Sequence, residues 1–199
     1  MPFLDDTIVA PATAPVPAGV AVVRLSGPRA AAIAAALTGL DEEVLSHGQM
    51  RYTAVVDPGA AGSPPLDHGY VVVFRAPRSF TGEDVAELHV HGSLAVVDAV
   101  MDAACRLGAR PAQAGEFTYR ALEHGKLDLV QAEGLADLVS ARSETARQAA
   151  VEHLDGRLSR AIQDLRQPLV ELLAEIEAHL DFPVETGRAS CRERVCYVV

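Results

Sequence analysis

Asparagine is absent from the chain, and lysine occurs once, at Lys126, beside sixteen arginines. With alanine abundant, this bias fits a coding sequence poor in A/T-rich codons, in which surface lysines drift to arginine. An ammonium is a compact charge with three rotatable donors, and a planar guanidinium does not serve a site shaped for it. Lys126 therefore marks either such a site or a chance survivor, and its neighbours have to decide. Cysteine is scarce too. Cys105, Cys191 and Cys196 form neither an even disulfide framework nor a CxxC metal pair, which fits a reducing compartment. No apolar run approaches the roughly 18 residues of a membrane span. The N-terminus MPFLDDTIVAPATAP has acids where a secretory signal carries positive charge, so a cytoplasmic location without a membrane partner is expected. Also missing are GxxxxGK followed by Ser or Thr, GxGxxG and GxSxG, which removes a triphosphate cradle, a dinucleotide fold and a nucleophile elbow from these residues.

What is there is a globular composition. The 199 residues are 49% hydrophobic and 22% charged, enough for one or two domains with a core. The net charge of −10 makes the chain a poor nucleic-acid binder by itself, because phosphate neutralisation needs clustered Lys and Arg. The last stretch, 186–199 (TGRASCRERVCYVV), breaks the composition abruptly with three arginines and two cysteines. It resembles the translated read-through of a sequencing adapter and is expected to be non-native; a genuine basic tail is the alternative.

Residues 19–25 (GVAVVRL) read as a strand, and Pro28 is placed to open an alanine-rich helix running to Leu37. Strands follow at 51–56 and 70–75, separated by a Gly/Pro loop at 58–65. In 84–91 the residues Glu87, His89 and His91 alternate with Ala86, Leu88 and Val90, so a strand would put the two sets on opposite faces. A helix from Ser93 to Leu107 comes next, with Cys105 on its apolar face and so a core residue rather than a nucleophile. The uneven alternation predicts an α+β domain with a mixed sheet. Beyond Gly125 the period becomes helical, with a helix at 127–141. A leucine and isoleucine stripe from Leu154 to Leu180 then reads as one long helix kinked at Pro168. Two helices with unfilled seams predict that the rest of a bundle lies further along a longer chain or in a second subunit.

Three residues stand out as chemistry. Glu87, half-buried at a strand centre, is costly unless paired. It is either a structural ion pair or an anchor for a ligand edge offering two adjacent N–H donors, such as a pterin or guanine. Arg24 ends the first apolar strand, with a rim salt bridge as its plainer role. Lys126 sits at the turn after Gly125, with simple solvent exposure as its plainer role. His89 and His91 could ligate a metal together with Glu87, but no fourth ligand stands at a fixed spacing and no metal site is expected. No catalytic residue is expected either.

The segments DTIVAPATAP, GVAVVRLSGP, SFTGEDVAELHVHG, AGEFTYRALEHGKLDLVQAEGLADLVSARSE and HLDFPVE occur in this order across residues 5–185. Together they resemble the N-terminal part of the bacterial tRNA-modification GTPase family MnmE, also called TrmE. The resemblance implies an N-terminal folate-binding and dimerisation domain at 1–122, similar to tetrahydrofolate-dependent one-carbon enzymes. At 123–185 it implies the start of a helical domain, with 186–199 left as the non-native tail. It implies a homodimer that binds 5-formyl-tetrahydrofolate or another tetrahydrofolate through Arg24, Glu87 and Lys126. The full-length family member would also bind GTP with Mg2+ and K+. It would work with the flavoprotein MnmG (GidA) on tRNA, placing an aminomethyl or carboxymethylaminomethyl group at C5 of the wobble uridine U34. The GTP-hydrolysing domain is not among these residues, so no GTP hydrolysis is expected of the chain alone. Two departures from the family pattern bear on the pocket. Val16-Pro17-Ala18-Gly19 replaces a usual Gly-Arg-Gly, and Leu122-Glu123-His124 stands where Phe-Leu-Asn is usual, so Glu123 adds a negative charge near an expected anion. A free-standing folate-binding one-carbon protein and a purely structural dimerisation module remain as alternatives.

Overall fold

The computed structural model describes residues 5–14, 17–60 and 62–181. They belong to two compact units that meet in sequence between Ala132 and Glu133. The first unit contains strands β1 (Ile8–Pro11), β2 (Ala18–Ser26), β3 (Arg51–Val55), β4 (Asp67–Phe74), β5 (Val85–Gly92) and β6 (Arg110–Pro111). They form one sheet in the order β3-β4-β5-β2-β1-β6, antiparallel throughout except for the parallel pair β1 and β6. Helices α1 (Ala30–Thr38), α2 (Leu94–Arg106) and α3 (Glu116–Glu123) and a 3-10 turn at Glu42–Val44 belong to the same unit. The architecture is α+β with a mixed sheet, as the sequence predicts.

Period-two alternation builds the core. Ala21, Val23 and Leu25 of β2, Ala86, Leu88 and Val90 of β5, and Val71 and Val73 of β4 are all buried. Ile33 and Leu37 of α1 and Val97 and Val100 of α2 join the same cluster. Each such side chain gains about 1.5–3 kcal/mol from leaving water. The alanines of α1 have little bulk, and Ala30, Ala31 and Ala34 are buried almost completely. The helix starts at Ala30 instead of Pro28, because a turn precedes it in which the Ala30 amide donates to the Gly27 carbonyl at 3.1 Å.

The other set of the alternation lies on the opposite face of the strands. It includes Val22 and Arg24 of β2, Glu87 and His89 of β5, and Tyr70 of β4, and its register runs Val22 to His89 to Tyr70 to Tyr52 across four strands. Tyr52 is 66% exposed and Tyr70 46%.

In the second unit, the C-terminal part of α4 (Leu129–Ser140) is followed by α5 (Glu144–Leu154) and α6 (Arg157–Asp181). Ser143 caps α5, its hydroxyl accepting from the Ala146 amide at 3.2 Å. The stripe from Leu154 to Leu180 is thus two helices and not one. Leu154 closes α5, Gly156 takes a left-handed conformation with φ of +69°, and the remaining stripe belongs to α6. The apolar period crosses the break undisturbed because the turn is short, so only the glycine signals it. α6 continues through Pro168 and has no buried residue, with Leu165 71% exposed. The HLDFPVE segment from Phe182 onward and the tail at 186–199 lie outside the described residues.

Candidate functional site

Arg24 and Glu87 are directly opposite each other on β2 and β5, the two strands at the middle of the sheet. Arg24 Nε and Nη2 both donate to Glu87 Oε1, at 2.9 and 2.8 Å. Glu87 Oε2 meets His89 Nε2 at 3.2 Å, two residues along the same strand face. The pair lies on the two central strands, two positions from the end of their pairing, and its side chains are 28% and 15% exposed, between the weak surface case and the costly buried one. Rings of Phe80 and Phe117 lie 5.7 and 5.8 Å from the Arg24 guanidinium carbon, within cation–π range. Beside the pair, Phe74, Arg78, Ser79, Phe80, Val85 and Glu87 line a groove of about 300 Å3. A carboxylate offers about four lone-pair sites. Arg24 and His89 leave acceptor capacity on Oε2 for a further donor.

Lys126 does not join this pair. Its Nζ donates to the Pro77 carbonyl at 3.0 Å, and it forms no hydrogen bond or ion pair with Arg24 or Glu87. What connects them is the loop 77–83. Phe80 in that loop lies over Arg24, while Pro77 receives Lys126. Gly82 has φ of +82°, and a Cβ there would stand 3.0 Å from His124 Cβ and 3.3 Å from Lys126 Cγ. The turn at 124–126 is thus seated directly on the loop backbone, and a His124 Nδ1 contact to the Thr81 carbonyl at 2.8 Å holds it there.

A second set of charges lies behind the loop, and the sequence reading passed over it. Arg120 of α3 is fully buried. It donates to Asp6 Oδ1 at 2.5 Å, to Glu83 at 3.0 and 3.2 Å, and to Glu116 Oε1 at 3.2 Å. Arg110 bridges Asp6 and Glu116 from the other side. Glu83 also accepts from the Ser26 hydroxyl at 2.6 Å, and Ser26 and Thr81 hydroxyls meet at 2.6 Å. The Arg110 hydrogen bonds, against the opposing effect of burial and with help from the Gln113 amide and Arg120, draw the Glu116 carboxyl down to about 2. Burial opposes the charge on Asp6, yet the two arginines hold its carboxyl below the usual range. The one local signal for this network was the i, i+4 pair of Glu116 and Arg120 within EFTYR.

The structure sends the two histidines to different carboxylates. His91 Nδ1 is 2.8 Å from Asp67 Oδ1, and His89 is on Glu87. Among the described residues no group of three or more His, Cys, Asp or Glu gathers to hold a metal ion. Cys105 is partly buried against the core, and burial pushes its thiol pKa up, away from nucleophilic duty. Among the described residues no helix is long and apolar enough to cross a membrane.

An α+β domain with a partly buried Arg–Glu pair at mid-sheet, followed by helices, defines the class: an α+β module joined to a helical one. Comparison with known proteins narrows it. Residues 7–126 match the family described as GTP-binding protein TrmE N-terminus, and residues 129–195 match the MnmE helical domain. The chain belongs to the MnmE (TrmE) family. It is similar to the tRNA modification GTPase MnmE of Azorhizobium caulinodans, 49% identical over 91% of this chain and 41% of that protein. It is also similar to those of Phenylobacterium zucineum, 48% identical over 96% and 42%, and of Thermus thermophilus, 47% identical over 93% and 42%. The chain spans about two-fifths of the length of these curated relatives.

Proposed function

We propose that the chain is the folate-binding and dimerising N-terminal region of a tRNA-modification GTPase, acting in the cytoplasm. It would bind 5-formyl-tetrahydrofolate or another tetrahydrofolate, the source of the one-carbon unit in the (carboxymethyl)aminomethyl group at C5 of U34. Residues 1–122 form the binding and dimerisation domain, 123–185 begin the helical domain, and Lys126 reaches the site from the start of the latter. GTP with Mg2+ and K+ belongs to a domain outside these residues, and tRNA and the MnmG flavoprotein engage the whole protein.

The observation that carries this reading is the Glu87 carboxylate, held half-buried at mid-sheet by Arg24, with acceptor capacity left beside an aromatic-walled groove. Such a group suits the adjacent N–H donors of a pterin edge. Arg24 balances the carboxylate charge, and Lys126, seated on Pro77 of the same loop, is left to meet the anionic end or the N5 substituent. Equilibrium dialysis of the chain against 5-formyl-tetrahydrofolate tests the reading. Saturable retention at one ligand per chain supports it; no retention by a folded, dimeric sample overturns it.

A further inference from the structure

The Glu83 side chain is only 10% exposed, sits next to the groove yet does not line it, and has every polar atom engaged. Both carboxylate oxygens face Arg120, one of them also accepting from Ser26. Its carbonyl accepts from the Ser79 hydroxyl at 2.5 Å, and its amide donates to the Thr81 hydroxyl at 3.3 Å. The loop 79–83 is therefore closed on itself around Glu83, and Glu83 is tied to α3 by a guanidinium with no exposure to water.

The consequences reach the candidate site from two directions. α3 carries Phe117, and the loop carries Phe80, the two rings that flank Arg24. The chain leaving α3 carries His124 and Lys126, which rest on Thr81, Gly82 and Pro77 of the same loop. One joint between loop and helix thus fixes the spacing of both rings and of the lysine. Charge-assisted hydrogen bonds in a buried setting are the strong kind, and they give rigidity of the sort a binding site needs from its supporting residues.

We infer that Glu83 is a positioning residue: through Arg120 it locks the loop 77–83 to α3, and so sets Phe80 and Lys126 for ligand. The inference rests on the folate reading for its ligand but not for its geometry. Arg120 itself is a poor probe, because its removal leaves Glu83 without its counter-charge, takes one of the two arginine partners from both Asp6 and Glu116, and threatens the fold. Glu83→Gln keeps the shape and leaves Asp6 and Glu116 on Arg120. The test pairs two readouts on the whole chain: 5-formyl-tetrahydrofolate affinity in a double-mutant cycle of Glu83→Gln with Phe80→Ala, and amide exchange across 77–83.

Glu83→Gln is expected to weaken binding at least tenfold, with most of that loss absent when Phe80 is already alanine, and to speed exchange in 77–83 but not in the sheet. Additive losses, or unchanged affinity in the single variant, would overturn the inference while leaving the folate reading intact. If the unsubstituted chain binds no folate, the folate reading falls and exchange decides the joint alone. Faster exchange confined to 77–83 upholds the joint, and an unchanged pattern rejects it.

Discussion

Acid should unfold this protein largely through one side chain, Glu116. Its carboxylate accepts from Arg110 at 2.5 and 2.9 Å, from Arg120 at 3.2 Å and from the Gln113 amide at 2.8 Å, with only 2% of the side chain exposed. These contacts lower its pKa from 4.5 to about 2. A carboxyl whose folded pKa is depressed stabilises the fold fully above its unfolded pKa, and the contribution disappears as pH falls through the folded value. At 1.36 kcal/mol per unit, the drop corresponds to about 3 kcal/mol, lost between about pH 5 and pH 2. Asp6, also depressed by Arg110 and Arg120, adds to the same acid limb. Glu116→Gln removes the titrating group and should cost about 3 kcal/mol at pH 7, since it breaks a buried pair. The variant and parent should converge only near about pH 2, with the gap between them already narrowed by more than half at about pH 3. Urea unfolding followed by circular dichroism at pH 7, 5, 4 and 3 reads both curves. Parallel curves separated by a constant amount at every pH would refute the assignment of that carboxylate as the charged centre of the network.

Two other substitutions probe separate links. Gly82→Ala places a Cβ against His124 and Lys126 at a φ unfavourable to any side chain, so it should cost about 1–2 kcal/mol and weaken folate binding as well. Thermal unfolding together with ligand titration reports it, and an unchanged affinity would deny the seat of Lys126 on the loop. Ser143→Ala removes the cap of α5 and should cost about 1 kcal/mol of the helical unit's stability, read from helical circular dichroism on heating. No change there would mean that the cap does not limit the helix.

The central strands were readable because β5 alternates Glu87, His89 and His91 with Ala86, Leu88 and Val90, and period two survives burial of one face. β6 has two residues and β1 four, one of them proline, too few for any period to show. Glu87 and Arg24 each stood out as a charge on an apolar strand, and the sheet register joins them. The buried network was hidden for a different reason. Arg120 and Asp6 are 114 residues apart, and an arginine on a helix looks solvated until the chain closes over it. Lys126 was conspicuous by composition, yet its partner is a backbone carbonyl of Pro77, and a carbonyl leaves no trace in residue identity.

The most direct test is a calorimetric titration of the chain with 5-formyl-tetrahydrofolate, run beside Glu87→Ala and Lys126→Ala variants whose unfolding transitions are checked first. The account predicts saturable binding by the parent and weaker binding by both variants, with Lys126→Ala still folding cooperatively. Equal affinity in all three would remove Glu87 and Lys126 from the site. No heat of binding in a folded, dimeric parent would leave a scaffold in which Arg24 and Glu87 are only a cross-strand ion pair.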